Sequence, residues 1–173
     1  MNLKKFWIII VAVIAVAAAF VWKFRMKTYK NDEYGFSFKY RATYIEKYNK
    51  DLLCLLKNSN NGIEISATAR KDTGELLKTL SQIGEGFANL LKIYKENYKI
   101  EMVSNETIIV SDGVKAQKVV VDITTTDNEK AQEIAVLIPA EGREITIVFF
   151  GTEGEISKNE NEINKVIKSI KIY

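Results

Sequence analysis

The sequence predicts an α+β domain behind one N-terminal transmembrane helix. The domain is expected to be an antiparallel β-sheet with helices packed on its faces, an α-β-α sandwich. Three observations carry this. Several short runs alternate apolar and polar residues and are joined by hairpin-type turns. Two longer stretches repeat apolar residues at three and four residue spacing, as amphipathic helices do. A 17-residue run near the start, Phe6 to Trp22, has no charged or polar side chain.

That run opens the element order. As a helix rising about 1.5 Å per residue it reaches roughly 25 Å, near the lower limit for crossing a bilayer. Lys5 and Lys23 flank it, and both tryptophans of the chain, Trp7 and Trp22, stand at its ends, where indoles favour the headgroup level. Its competitor is a cleaved signal peptide ending at Ala17-Ala18-Ala19. The apolar run continues through Phe20, Val21 and Trp22, which argues for an uncleaved anchor. The expected division is therefore 1–27 as signal-anchor and 28–173 as folded domain, with Lys27 to Glu33 as a polar linker. The 25 basic and 22 acidic residues give +3 overall. Five of the basic residues (Lys4, Lys5, Lys23, Arg25, Lys27) flank the run, so residues 28 to 173 keep 20 against 22, a net of −2. With its charges interspersed, the folded part has no nucleic-acid footprint.

The strands follow in order. Phe36, Phe38 and Tyr40 share one face of the first. Leu52 to Leu56 is apolar at every position and reads as a central strand covered on both faces. Asn61-Gly62 signals a hairpin into a strand that points Ile63, Ile65, Ala67 and Ala69 one way. Residues 74 to 98 then change period: Leu76, Leu77, Leu80, Ile83, Phe87, Leu90, Leu91, Tyr94 and Tyr98 form a helical stripe. Gly84 and Gly86 are expected to bend or break it. Strands follow at Ile100 to Val110, Val114 to Thr124, Ala131 to Ile138 and Glu144 to Phe150. Asp112-Gly113 joins the first two, and Pro139 opens the turn before the last. Val119, Val121 and Ile123 point inward on one strand, Ile134, Val136 and Ile138 on the next. A helix over about 155 to 169 closes the chain with Ile156, Ile163, Val166, Ile167 and Ile170 as its stripe.

The opening YKNDEYGFSFKY resembles the start of PsbP-like domains, bacterial relatives of the extrinsic P subunit of photosystem II, many of them secreted or lipid-anchored. The closing pattern is similar too: a strand ending IVFF, a polar stretch, then a helix ending INKVIKSIKI. The resemblance covers about residues 29 to 172 and implies an antiparallel sheet between helices in an extracytoplasmic setting. Where the family usually has a proline and then a tryptophan after the first strand, this chain has Arg41 and Tyr44. No functional residue of the photosynthetic subunit matches a position here.

Catalytic chemistry is largely excluded by composition. With no histidine, Ser-His-Asp and Cys-His catalysis and His-ligated metals cannot be built. The single cysteine, Cys54 in LLCLL, forms no intrachain disulfide and reads as a small buried hydrophobe. Gly84-Glu85-Gly86 lacks the third glycine of a dinucleotide loop. Asp127-Asn128-Glu129 offers oxygen ligands to a hard cation but reads first as a polar turn. Asn105-Glu106-Thr107 fits a glycosylation sequon within a strand. No catalytic, cofactor or metal residue is therefore assigned, and no cofactor is expected. The expectation is a non-enzymatic binding or accessory domain of the bacterial cell envelope. It would hold the bilayer through Phe6 to Trp22, with its domain outside the cytoplasm and an envelope protein as partner. The alternative is a small-ligand or metal-sensing module on the same scaffold. A count of flanking basic residues opposes the outside placement, since Lys23, Arg25, Lys27 and Lys30 lie on the domain side.

Overall fold

The computed structural model describes residues 25–71, 80–94 and 98–173. Among these residues ten strands and two α-helices follow in the order β1 (Met26–Asn31), β2 (Phe36–Arg41), β3 (Ile45–Glu46), β4 (Cys54–Lys57), β5 (Glu64–Lys71), α1 (Leu80–Tyr94), β6 (Lys99–Ile109), β7 (Lys115–Thr124), β8 (Lys130–Ala140), β9 (Arg143–Thr152), α2 (Glu153–Lys168) and β10 (Lys171–Ile172). All strand pairs are antiparallel, in two sheets: a large one ordered β3-β4-β5-β9-β8-β7-β6 and a small one ordered β1-β2-β10.

The pleat of the large sheet separates two cores. One face carries Cys54, Leu56, Ile65, Ala67, Ile134, Val136, Ile138, Ile145, Ile147 and Phe149. Onto it pack Ile156, Ile163, Val166 and Ile167 of α2 and the inner face of the small sheet, Phe36, Phe38 and Tyr40. The other face presents Val119, Val121, Ile123 and Leu137 to Phe87, Ala88 and Leu91 of α1. The inward strand residues expected from alternation are buried as read, and they divide between the two cores. β8 is the strand covered on both sides: Ile134 through Ile138 are all buried.

Several expectations change. Lys27 to Glu33 is no linker, because β1 occupies most of it and pairs along the whole of β2. Only Tyr29 in this strand turns a large side chain inward, onto Phe36 and Phe38 at ring-centroid distances of 5.8 and 5.3 Å. Leu52 to Leu56 is not a doubly covered strand. β4 pairs on its outer side only with the two-residue β3, and Leu55 is half-buried. The turn after β4 spans Asn58 to Gly62, with Asn58 N–H donating to the Ile63 carbonyl at 3.1 Å, and Gly62 rather than Asn61 holds the positive φ of 71°. Pro139 lies inside β8, past its last rung with β7, so its missing N–H costs that ladder nothing; the turn is Glu141-Gly142.

α1 runs unbroken from Leu80 to Tyr94 despite its two glycines. Gly84 is buried where a Cβ would run into Asn105 Oδ1 and lie 2.9 Å from Val119 Cγ2. The glycine lets the helix approach the sheet rather than bending it. Tyr98 stands outside the helix, exposed at the start of β6. Leu76 and Leu77 lie outside the described residues. So does the apolar run Phe6 to Trp22; among the described residues no helix is long and apolar enough to cross a membrane.

Candidate functional site

The residues singled out in the sequence are placed as follows. Cys54 is buried on β4, and burial above all, with the negative charge of Glu46, pushes its thiol up to about 12. Asp127-Asn128-Glu129 forms the β7–β8 turn, with Asn128 at φ 62° and Glu129 N–H donating to Thr125 Oγ1 at 3.0 Å. Asn105 lies on β6, where its side-chain oxygen accepts from Gln117 Nε2, while Thr107 Oγ1 donates to Gln117 Oε1 at 3.0 Å. This small network satisfies the buried Gln117 amide beneath α1.

Arg41 and Tyr44 form a second polar seam, which sequence reading did not find. Arg41 Nε pairs with Glu162 Oε2 at 2.8 Å, and Glu162 on α2 is only 8% exposed. Tyr44 is buried edge-on to Tyr40. Burial raises its phenol pKa; a hydrogen bond with Asn61 opposes that, and the charge of Glu162 adds to it. Asn61 Nδ2 reaches Asn159 Oδ1 at 3.2 Å, and Asn58 Nδ2 reaches Thr43 Oγ1 at 3.1 Å. The loop after β2, the β4–β5 turn and α2 are thus tied together by side chains far apart in sequence. Beside this seam lies an open groove of about 380 Å³, lined by Ile45, Lys47, Lys57 and Ile63 among others. Lys57 is held by Glu64 at 2.5 Å.

The edges of the large sheet differ in kind. β3 is two residues long, whereas β6 is eleven and pairs, among the described strands, with β7 only. Its register shifts between Met102 and Ser104, leaving Val103 as a bulge. Ten large hydrophobics are exposed among the described residues, and five lie on this edge or next to it: Ile93, Tyr98, Met102, Val103 and Ile109. A long edge strand presents unpaired N–H and C=O groups to an incoming strand, and exposed apolar side chains add contact area. Three more, Met26, Ile45 and Tyr48, sit at the opposite side of the molecule, around β1 and β3. A period-2 pattern could not have separated these roles, because it reports which face a residue takes and not which strand ends the sheet.

No family model matches the chain, and no curated protein matches it. Solved structures do. Cyanobacterial PsbP (CyanoP) from Synechocystis sp. PCC 6803 is similar with a TM-score of 0.73 at 16% identity, over 86% of this chain and 92% of that one. LpqN of Mycobacterium tuberculosis, described as involved in cell envelope biogenesis, is similar at 0.61 and 11%, over 86% and 90%. The Saccharomyces cerevisiae Ran-binding protein Mog1p is similar at 0.60 and 9%, over 86% and 96%. The chain therefore has the mixed α+β fold, mostly antiparallel, that these three proteins share, as its opening and closing motifs led us to expect.

Proposed function

We propose that this chain is a membrane-tethered, non-enzymatic accessory domain of the bacterial cell envelope, held outside the cytoplasm, which docks a protein partner along β6. The observation that carries the reading is the β6 edge: eleven residues, bulged at Val103, with Met102, Val103 and Ile109 exposed. A partner would add an extended segment to this edge, gaining main-chain hydrogen bonds along the strand and apolar contact at those three side chains. The fold shared with a protein described as Ran-binding and with one described as involved in cell envelope biogenesis supports a binding role and an envelope setting. The tether rests on Phe6 to Trp22 and its flanking tryptophans.

A photo-reactive residue placed in turn at Met102, Val103 and Ile109 of the full chain, in native membranes, tests this. One adduct of constant mass is expected from β6 and none from Tyr48, and Val103→Lys should abolish it. Adducts independent of position, or no adduct from β6, would refute the docking edge. The small-ligand reading has the groove at Ile45, Lys47, Lys57 and Ile63 in its favour. A melting temperature raised by a metabolite or metal would support it through linkage.

A further inference from the structure

We infer that the corner formed by the start of β1 and the loop carrying β3 rests on an anionic lipid surface, so that β6 points away from the bilayer. The inference rests on the tether proposed above and specifies its geometry. Only Lys23, Phe24 and Arg25 separate Trp22 from Met26, the first residue of β1. Four residue steps span at most about 14 Å whatever their conformation. A domain tied so closely to a bilayer meets the surface with the side on which its first strand begins.

That side is defined by contacts. The Arg25 carbonyl accepts from Ala42 N–H at 2.8 Å, and Ala42 is three residues before Ile45 of β3. Tyr29 of β1 donates from its hydroxyl to the Leu53 carbonyl at 2.9 Å, which places β1 alongside the 47–53 loop. At the other side of the small sheet, β10 lies by the 111–113 turn, next to β6 and β7. Both layers therefore run from a β1/β3 side to a β10/β6 side.

The β1/β3 side has the chemistry of an interfacial surface. Met26, Ile45 and Tyr48 are exposed, Tyr48 by 93%. Around them stand Arg25, Lys27, Lys47 and Lys50 against Glu46 and Asp51, a net of +2, while residues 28 to 173 as a whole carry −2. An exposed tyrosine suits the headgroup level, and clustered lysines next to a membrane segment draw anionic headgroups. Six strand spacings of about 4.8 Å set β6 roughly 29 Å from β3, which leaves the proposed docking edge clear of the lipid.

The test uses the full chain in phosphatidylcholine vesicles with or without phosphatidylglycerol. A fluorophore is attached at Tyr48→Cys or at Ile109→Cys, Cys54 being buried, and a quencher is carried on lipid headgroups. Severalfold stronger quenching is expected at 48 than at 109. It should be greater with phosphatidylglycerol, and reduced by 1 M salt or by Lys47→Glu with Lys50→Glu, with no change in vesicle association. Association with equal quenching at the two positions overturns the seating and leaves the tether standing. Equal quenching in the two lipid compositions overturns the anionic assignment. A chain that stays out of the vesicles removes the tether itself, and the seating with it.

Discussion

Thr152 and Glu155 close the N-terminus of α2 as a reciprocal capping box: each side chain takes the other residue's backbone N–H. Thr152→Ala should cost about 1 kcal/mol, read as a lower urea midpoint at unchanged slope. The N–H of Thr152 first, and its hydroxyl second, holds the Glu155 carboxyl below its ordinary value. A carboxyl depressed in the fold stabilises above the ordinary carboxylate range, and that contribution is lost as pH falls through it. Glu155→Gln should therefore flatten the acid limb of stability against pH; an unchanged limb would mean the bond is absent in solution. Cys54 has the opposite sign. Its thiol is raised by burial, so its contribution is present below about pH 9 and lost as pH rises toward 12. Alkylation of the native chain at pH 8 should be much slower than of the unfolded chain, and fast native labelling would place the thiol at the surface. The burial of Cys54 was legible in LLCLL. The Arg41–Glu162 pair was not, because nothing local links residues 121 positions apart. Yet Arg41, which stands where PsbP-like domains usually have a proline, is the residue paired with Glu162, and Tyr44, which stands where they usually have a tryptophan, is buried where the charge of Glu162 acts on its phenol.

At the scale of elements, alternation and helical period located β2, β5, β7 to β9 and both helices, because those segments each press an apolar face on a core; β6, with Ile100 alone buried, was read only from its position before the Asp112-Gly113 turn. β1 escaped for a physical reason. Its six residues, MKTYKN, turn one aromatic ring inward and leave Met26, Lys27, Thr28 and Lys30 exposed. Its place is set by pairing with β2, which no pattern within the segment records. Removing it would uncover Phe36 and Phe38, both fully buried. A chain of residues 23–173 should fold and one of residues 32–173 should not, by circular dichroism and cooperative unfolding; equal stability would reduce β1 to an appendage. Gly84 gives a sharper test. Helix propensity alone favours Gly84→Ala by about 1 kcal/mol. The contact of its missing Cβ with Asn105 and Val119 reverses the sign, so the variant should be the less stable in urea, and a gain would mean α1 stands off the sheet.

For the whole molecule, the two-core arrangement puts the short elements β1 and β3 at one side and, among the described strands, the eleven-residue edge strand β6 at the other. β3 has two residues and stands next to the start of β1; β6 has eleven and exposes Met102, Val103 and Ile109. That polarity makes sense for a domain that sits on a membrane and reaches outward. It was invisible in the sequence, where the run Phe6 to Trp22 carries only the tether we propose and the closing IVFF and INKVIKSIKI motifs pointed to the fold, but nothing ordered the strands. The measurement that bears most directly on the proposed role is protease protection in intact cells with any outer membrane permeabilised, followed by mass analysis of the membrane fraction. The expected result is digestion of the domain before the plasma membrane is opened, with first cuts at Lys130, the exposed first residue of β8 beside the β7–β8 turn, and a protected fragment that retains Phe6 to Trp22. Digestion only after the plasma membrane is broken, or a mature chain beginning at Phe20, would contradict it.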